Sequence, residues 1–72
     1  MVTDNDIRYK QLLFHASEWM GCEKLAKLRE EIKEIGRDIS HEQYLKYEII
    51  LRRKWDEKVA EFLKVYDENY KA

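Results

Sequence analysis

Two groups of residues in this chain are of types that could bind a metal or catalyse a reaction. His15, Glu18 and Cys22 are metal-ligand types and would share one side of a helix that continued past Gly21. Structural zinc sites use paired cysteines or histidines, and this chain has one cysteine, so we assign no metal site. We also assign no catalytic pairing of Cys22 with a histidine, because a lone cysteine is more often a small buried side chain.

Glu48 is the second candidate, a carboxylate in an otherwise apolar stretch of the predicted third helix. An ionised carboxylate there is costly unless it is paired. Arg52 stands one turn later and can form an i,i+4 ion pair. We expect a local salt bridge rather than a catalytic carboxylate, and the alternative is a polar contact that sets the register of a partner.

A basic patch could bind phosphate groups. Arg52, Arg53 and Lys54 form the only basic triplet, and Lys58 extends it along the helix. A small nucleic-acid-binding protein that uses this patch is therefore the alternative function. Acidic residues are interspersed, and the chain has 14 basic and 15 acidic residues, so no field of one sign covers the domain. We expect a solvated face, with nucleic acid disfavoured as a partner.

The chain lacks the short sequence motifs that are typical of enzyme active sites. It contains no glycine-rich phosphate loop, GxSxG elbow, HExxH pair or zinc-binding cysteine pair. A chain of 72 residues also has little room for a preorganised pocket. We therefore expect no enzymatic activity and no cofactor.

Two stretches partly resemble helical enzyme families. Leu25 to Ile39, which reads LxKLREEIKEIGRDI, resembles the opening helix of helical chorismate mutases, but the later arginine and lysine pattern is not matched. The expected hairpin is similar to that of the sporulation aspartyl-phosphate phosphatases, whose second helix carries Ser-Gln-Glu-Leu-Asp. The corresponding residues here are Glu48-Ile49-Ile50-Leu51-Arg52, which keep the leucine and lose the serine and the acidic end. We assign the chain to neither family, and a helical enzyme centred on Glu48 is the weakest alternative.

Helices must position all of these residues. The chain has no proline, and its two glycines, Gly21 and Gly36, divide it into three parts. We predict a single helical domain over residues 1–72 with helices at about 4–20, 22–36 and 41–70. A break near Gly21 is favoured because the apolar stripes on its two sides point in different directions. One kinked helix through Gly21 is the alternative.

Local signals set the predicted helix ends. Thr3 is the expected N-cap of the first helix. Gly36 suits the position just after the second helix. Ser40 to Gln43 has the pattern of a capping box, which would begin the third helix at about residue 41.

The predicted fold is an all-α three-helix bundle. Helix 2 carries apolar residues at alternating steps of three and four, the seam of coiled-coil packing, at Leu25, Leu28, Ile32, Ile35 and Ile39. Helix 3 is the longest, at roughly 45 Å for about 30 residues. We expect helices 2 and 3 to form an antiparallel hairpin with helix 1 packed across it.

The first half of helix 3 points to a protein partner. It is apolar on nearly all sides, and such a helix must be covered all round, which two short companions cannot readily do. We predict a homodimer that completes the core, the alternative being a helix enclosed within the monomer. The chain would then be a small protein-interaction module (a regulator, adaptor or inhibitor) whose partner-binding residues are Phe14, Tyr47, Ile49 and Ile50.

The sequence also indicates where in the cell the protein is located. No apolar run approaches the roughly 20 residues needed to cross a bilayer. The opening MVTDND lacks the features of a signal peptide, and a single cysteine cannot form an intramolecular disulfide. We therefore expect a cytoplasmic protein without a membrane partner.

Overall fold

The computed structural model describes residues 3–70, and the regular elements of that range are helical. Helix α1 spans Asp4–Phe14, α2 spans Glu23–His41 and α3 spans Leu45–Tyr70, with a short 3-10 turn at Ala16–Glu18. Helices α2 and α3 form an antiparallel hairpin, and α1 packs across it, mainly against α3. The predicted three-helix bundle is confirmed over these residues. The first two and last two residues of the predicted domain lie outside the described range.

Helix α1 begins where the sequence predicts and ends earlier. The Thr3 hydroxyl accepts the Asp6 N–H at 3.2 Å, and the Asp6 carboxylate accepts the Thr3 N–H at 3.4 Å, which completes a capping box. At the other end the Leu12 carbonyl accepts the backbone N–H of His15 at 3.1 Å and the indole N–H of Trp19 at 2.8 Å. The indole thus satisfies a carbonyl at the end of the helix. The predicted break between the first two helices therefore begins at His15, well before the glycine to which we assigned it.

Helix α2 continues through Gly36, which the sequence predicts as its end. Gly36 does not have a positive φ, so it does not adopt the left-handed conformation of a helix-ending glycine. The ring of Trp55 occupies the space where a side chain would be, because a Cβ added at Gly36 would lie 2.8 Å from Trp55 Cζ3. The glycine therefore permits a close approach of α3 rather than ending α2.

The connection between α2 and α3 also differs from the prediction. Ser40 lies in the last turn of α2, and its hydroxyl donates to the Gly36 carbonyl at 3.1 Å. The Glu42 carboxylate accepts the backbone N–H groups of the next two residues, both at 3.0 Å, and α3 begins at Leu45. The capping box predicted at Ser40 to Gln43 is wrong, because the serine bonds backward into α2 instead of capping the helix that follows.

The core lies at the end of the hairpin that α1 crosses. Its buried apolar side chains are Tyr9, Trp19, Leu25, Leu28, Ile32, Val59, Phe62, Leu63 and Val65. Phe62 is central, since its ring makes edge-on contacts with Tyr9 at 5.1 Å and Trp19 at 5.0 Å between centroids. The last two residues of the predicted α2 seam, Ile35 and Ile39, are only partly buried. The hairpin therefore extends beyond the core as a two-helix segment, residues 35–51, which we call the arm.

Candidate protein-interaction surface

The arm exposes large apolar side chains. They lie at the start of α3 and just before it, with these exposed fractions: Tyr44 67%, Leu45 71%, Tyr47 53%, Ile49 54% and Ile50 47%. Helix α1 reaches α3 one to two turns further along, where Asp6 contacts Arg52 and Trp55. The arm is therefore two helices thick, and its apolar side chains face outward.

These side chains occupy two sides of α3. Arg52 marks the side that faces α1, because its guanidinium bonds the Asp6 carboxylate at 2.6 Å. At 100° per residue, Ile50 lies about 160° and Tyr47 about 140° from Arg52, on the side away from α1. Ile49 lies about 60° from Arg52, on the side of α1.

We call Tyr47 and Ile50 the outer face, together with Tyr44, which lies just before α3 at about 80° from Arg52 and borders this face. The rings of the two tyrosines meet at 6.2 Å between centroids. Of the residues predicted to bind a partner, Tyr47 and Ile50 belong to this face. Ile49 lies on the other side of α3, and Phe14, 87% exposed, is the last residue of α1. The structure therefore divides the predicted set between separate surfaces.

The residues of the predicted basic patch point in different directions and differ in their partners. Arg52 bonds Asp6 and lies 3.7 Å from the Asp56 carboxylate. Lys58 pairs with Glu31 of α2 at 3.1 Å, and this contact raises the pKa of the lysine. Arg53 and Lys54 are exposed. Two of the four cations thus contribute to contacts within the fold.

Sequence reasoning missed the role of Asp6, which is nearly buried. Its carboxylate accepts the indole N–H of Trp55 at 3.2 Å and the guanidinium of Arg52, in addition to closing the capping box with Thr3. Burial by itself raises the pKa of Asp6, but the bonds from Trp55, Thr3 and Arg52 outweigh it and hold that pKa below its usual value. The only local signal was its position in the first turn of a helix.

Two adjacent hollows lie beside this network, where α1 crosses the hairpin. The first, about 190 Å³, is lined by Asp6, Tyr9, Lys10, Leu13, Arg52 and Trp55. The second, about 290 Å³, shares Tyr9, Leu13 and Trp55 and adds four residues of α2, which are Arg29, Ile32, Lys33 and Gly36. Burial raises the pKa of the Tyr9 hydroxyl to about 12, so this phenol stays neutral at physiological pH. Each hollow thus combines apolar side chains with cations.

The remaining candidates lie elsewhere. His15 and Glu18 are exposed near the end of α1, and Cys22 is partly buried just before α2. No three or more His, Cys, Asp or Glu side chains within residues 3–70 are placed to hold a metal ion together. Glu48 is exposed on the arm, and Arg52, its expected partner, bonds Asp6 instead.

Comparison with known proteins gives no relative. No family model, curated protein or solved structure matches this chain. Over the part of the chain that the structure describes, no helix combines the length and the apolar character needed to cross a bilayer.

Proposed function

We propose that this chain is a small protein-interaction module that self-associates through the outer face of the arm. The observation that carries the proposal is the exposure of Tyr44, Tyr47 and Ile50 on a segment only two helices thick. Two arms packed through these faces would make a four-helix arrangement, in which each arm covers the apolar side chains of the other. Such a module would serve as a regulator, adaptor or inhibitor.

A second copy is the partner that best suits this face. A two-fold dimer sets one patch against the same patch, so every favourable contact is made twice. Burying a half-exposed apolar side chain contributes about 1 kcal/mol. The formal net charge of −1 leaves little repulsion between copies. Because three side chains per copy must also offset the entropy of association, we expect a weak dimer.

Two further features agree with this proposal. The ion pairs of Arg52 and Lys58 leave less free positive charge for nucleic acid than the sequence suggests. The single cysteine, Cys22, is compatible with the reducing cytoplasm, where we propose that the protein acts.

Sedimentation equilibrium on three forms of the protein tests the proposal. Between about 10 and 500 μM, the wild-type mass should rise from the monomer toward the dimer. Ile50→Asp should stay monomeric and keep its helical circular dichroism, because a charge would be desolvated in the dimer but not in the monomer. Ala60→Asp introduces the same charge at an exposed position of α3 beyond the arm and should dimerise like wild type. A wild-type monomer mass throughout the range would refute self-association.

The nucleic-acid alternative has its own test. Wild-type protein applied to immobilised DNA and RNA at low salt should pass through unretained. Phosphate contacts would instead give retention that falls steeply with salt. If retention of that kind were seen in wild type and lost in an Arg53→Gln/Lys54→Gln variant, nucleic-acid binding would replace the function proposed here.

A further inference from the structure

We infer that the two hollows beside Trp55 form one groove that binds an amphipathic helix with acidic flanks, supplied by another protein. The groove lies on the side of α3 that faces α1, since Asp6 and Arg52 line its first hollow. The outer face points away from α1. This second interface is therefore separate from the self-association proposed above and does not rest on it.

The arrangement of the two hollows, of about 190 and 290 Å³, suits the side chains of a helix. Two hollows with a shared wall of Tyr9, Leu13 and Trp55 suit two apolar side chains from successive turns of one helix, the usual anchors of helix-in-groove recognition.

Apolar surface continues beyond the hollows on the same side of α3. From Arg52, Leu45 lies at about 20° and Ile49 at about 60° around the helix. Both are exposed, at 71% and 54%. A bound helix could therefore extend from the hollows along the arm, which a single small ligand could not do.

The charges around the hollows select an acidic partner. Lys10 lines the first hollow and Lys33 the second. Both are exposed, and within residues 3–70 neither makes an ion pair. Lysines flanking an apolar floor attract carboxylates on the flanks of a bound helix and disfavour cationic helices.

The other charges of the groove are already partnered. Arg52 is held by Asp6, the only carboxylate that lines either hollow, and Arg29 lies 3.6 Å from Glu30. The free charge that lines the hollows is therefore positive, although the chain as a whole carries −1 and the exposed Glu48 lies on the same side of α3, about 40° from Arg52.

The floor of the groove is held in place before any partner binds. Trp55 is held by the hydrogen bond from its indole N–H to Asp6 and by its close fit over Gly36. The ring of Tyr9 lies edge-on to the ring of Trp55 at 6.1 Å and to that of Phe62 at 5.1 Å between centroids. A preformed floor lowers the entropy lost on binding.

Fluorescence anisotropy with two labelled helical peptides tests the inference. The first probe has leucines at positions i and i+4 and glutamates on both flanks, and the second has lysines in place of the glutamates. Wild-type protein should bind the glutamate peptide about tenfold more tightly than the lysine peptide. A Lys10→Glu/Lys33→Glu variant should reverse that preference, whereas Ile50→Asp and Ala60→Asp should leave it unchanged.

Each of the other outcomes overturns the inference. Equal binding of both peptides would indicate general apolar adhesion, and binding of neither would mean that the groove is not a helix site. Loss of binding in Ile50→Asp alone would move the site to the outer face. Displacement of the glutamate peptide by decanoate at equal concentration would show a site for small apolar anions. Because Ile50→Asp separates the two surfaces, failure here is distinguishable from failure of self-association.

Discussion

Asp6 joins two distant parts of the chain through one carboxylate. It closes the capping box of α1 and accepts hydrogen bonds from Arg52 and Trp55, which lie 46 and 49 residues away in sequence. A nearly buried carboxylate is stable only when such donors surround it. The same bonds position α1 on α3 and fix Trp55 beside the groove.

The depressed pKa of Asp6 predicts a specific acid dependence of stability. Because that pKa is lower in the folded than in the unfolded chain, the contribution of Asp6 is complete above the unfolded value of about 4 and is lost as pH falls through the folded value. Asp6→Asn should lower the free energy of unfolding by about 2 kcal/mol at pH 7. Urea unfolding of both proteins from pH 7 to pH 2.5 measures the difference. It should shrink below about pH 4, and a difference that stayed constant with pH would show that Asp6 acts through packing alone.

The sequence predicts only the short-range part of this network. Thr3 as the N-cap is predictable, because the capping partner lies three residues away. The partners of Asp6 on α3 are set by how α1 crosses the hairpin, which no short-range pattern encodes. For the same reason Arg52 was assigned to Glu48, one turn away, whereas it bonds Asp6 across the fold.

At the scale of elements, the sequence predicts the helices, the hairpin, the start of α1 and the end of α3 correctly, but it misplaces the end of α1, the end of α2 and the start of α3. Each wrong boundary has a cause in a contact that local signals do not show. The indole of Trp19 donates to a carbonyl in the last turn of α1, and the ring of Trp55 packs against Gly36 within α2. A glycine in a helix can end it or admit a neighbour, and only the position of the neighbour decides which.

The contact between Gly36 and Trp55 predicts that Gly36→Ala lowers the free energy of unfolding when Trp55 is present and raises it when Trp55 is replaced. Gly36→Ala should destabilise the wild-type protein, because the new Cβ would lie 2.8 Å from Trp55 Cζ3 and a packed indole cannot easily move. In a Trp55→Leu background the ring is gone, so the same change should stabilise by about 1 kcal/mol through helix propensity. Chemical denaturation of the four proteins gives the coupling energy. If alanine destabilised both backgrounds equally, Trp55 would not be the reason for the glycine.

The whole molecule is elongated, with extents of 41 × 21 × 18 Å, because the hairpin is longer than the region that α1 covers. The core stabilises one end, and the arm depends on contacts between only two helices. Two ion pairs, from Asp6 to Arg52 and from Arg8 to Asp67, join α1 to α3. The excess apolar surface on the first half of α3 is thus predictable from the pattern of apolar residues around the helix, but its separation into an outer face and a groove depends on where α1 lies.

Thermal unfolding should therefore depend on protein concentration. A dimer that forms only from folded chains stabilises the folded state by mass action, so the wild-type Tm should rise when the concentration increases from about 10 to 500 μM. Differential scanning calorimetry on wild type, Ile50→Asp and Ala60→Asp makes the comparison. Ala60→Asp should show the same concentration dependence as wild type at a lower Tm, because aspartate is a weaker helix former than alanine. Ile50→Asp should have a Tm that does not change with concentration. A Tm independent of concentration in all three proteins would mean that the outer face stays exposed to solvent and that the arm is stable without a second copy.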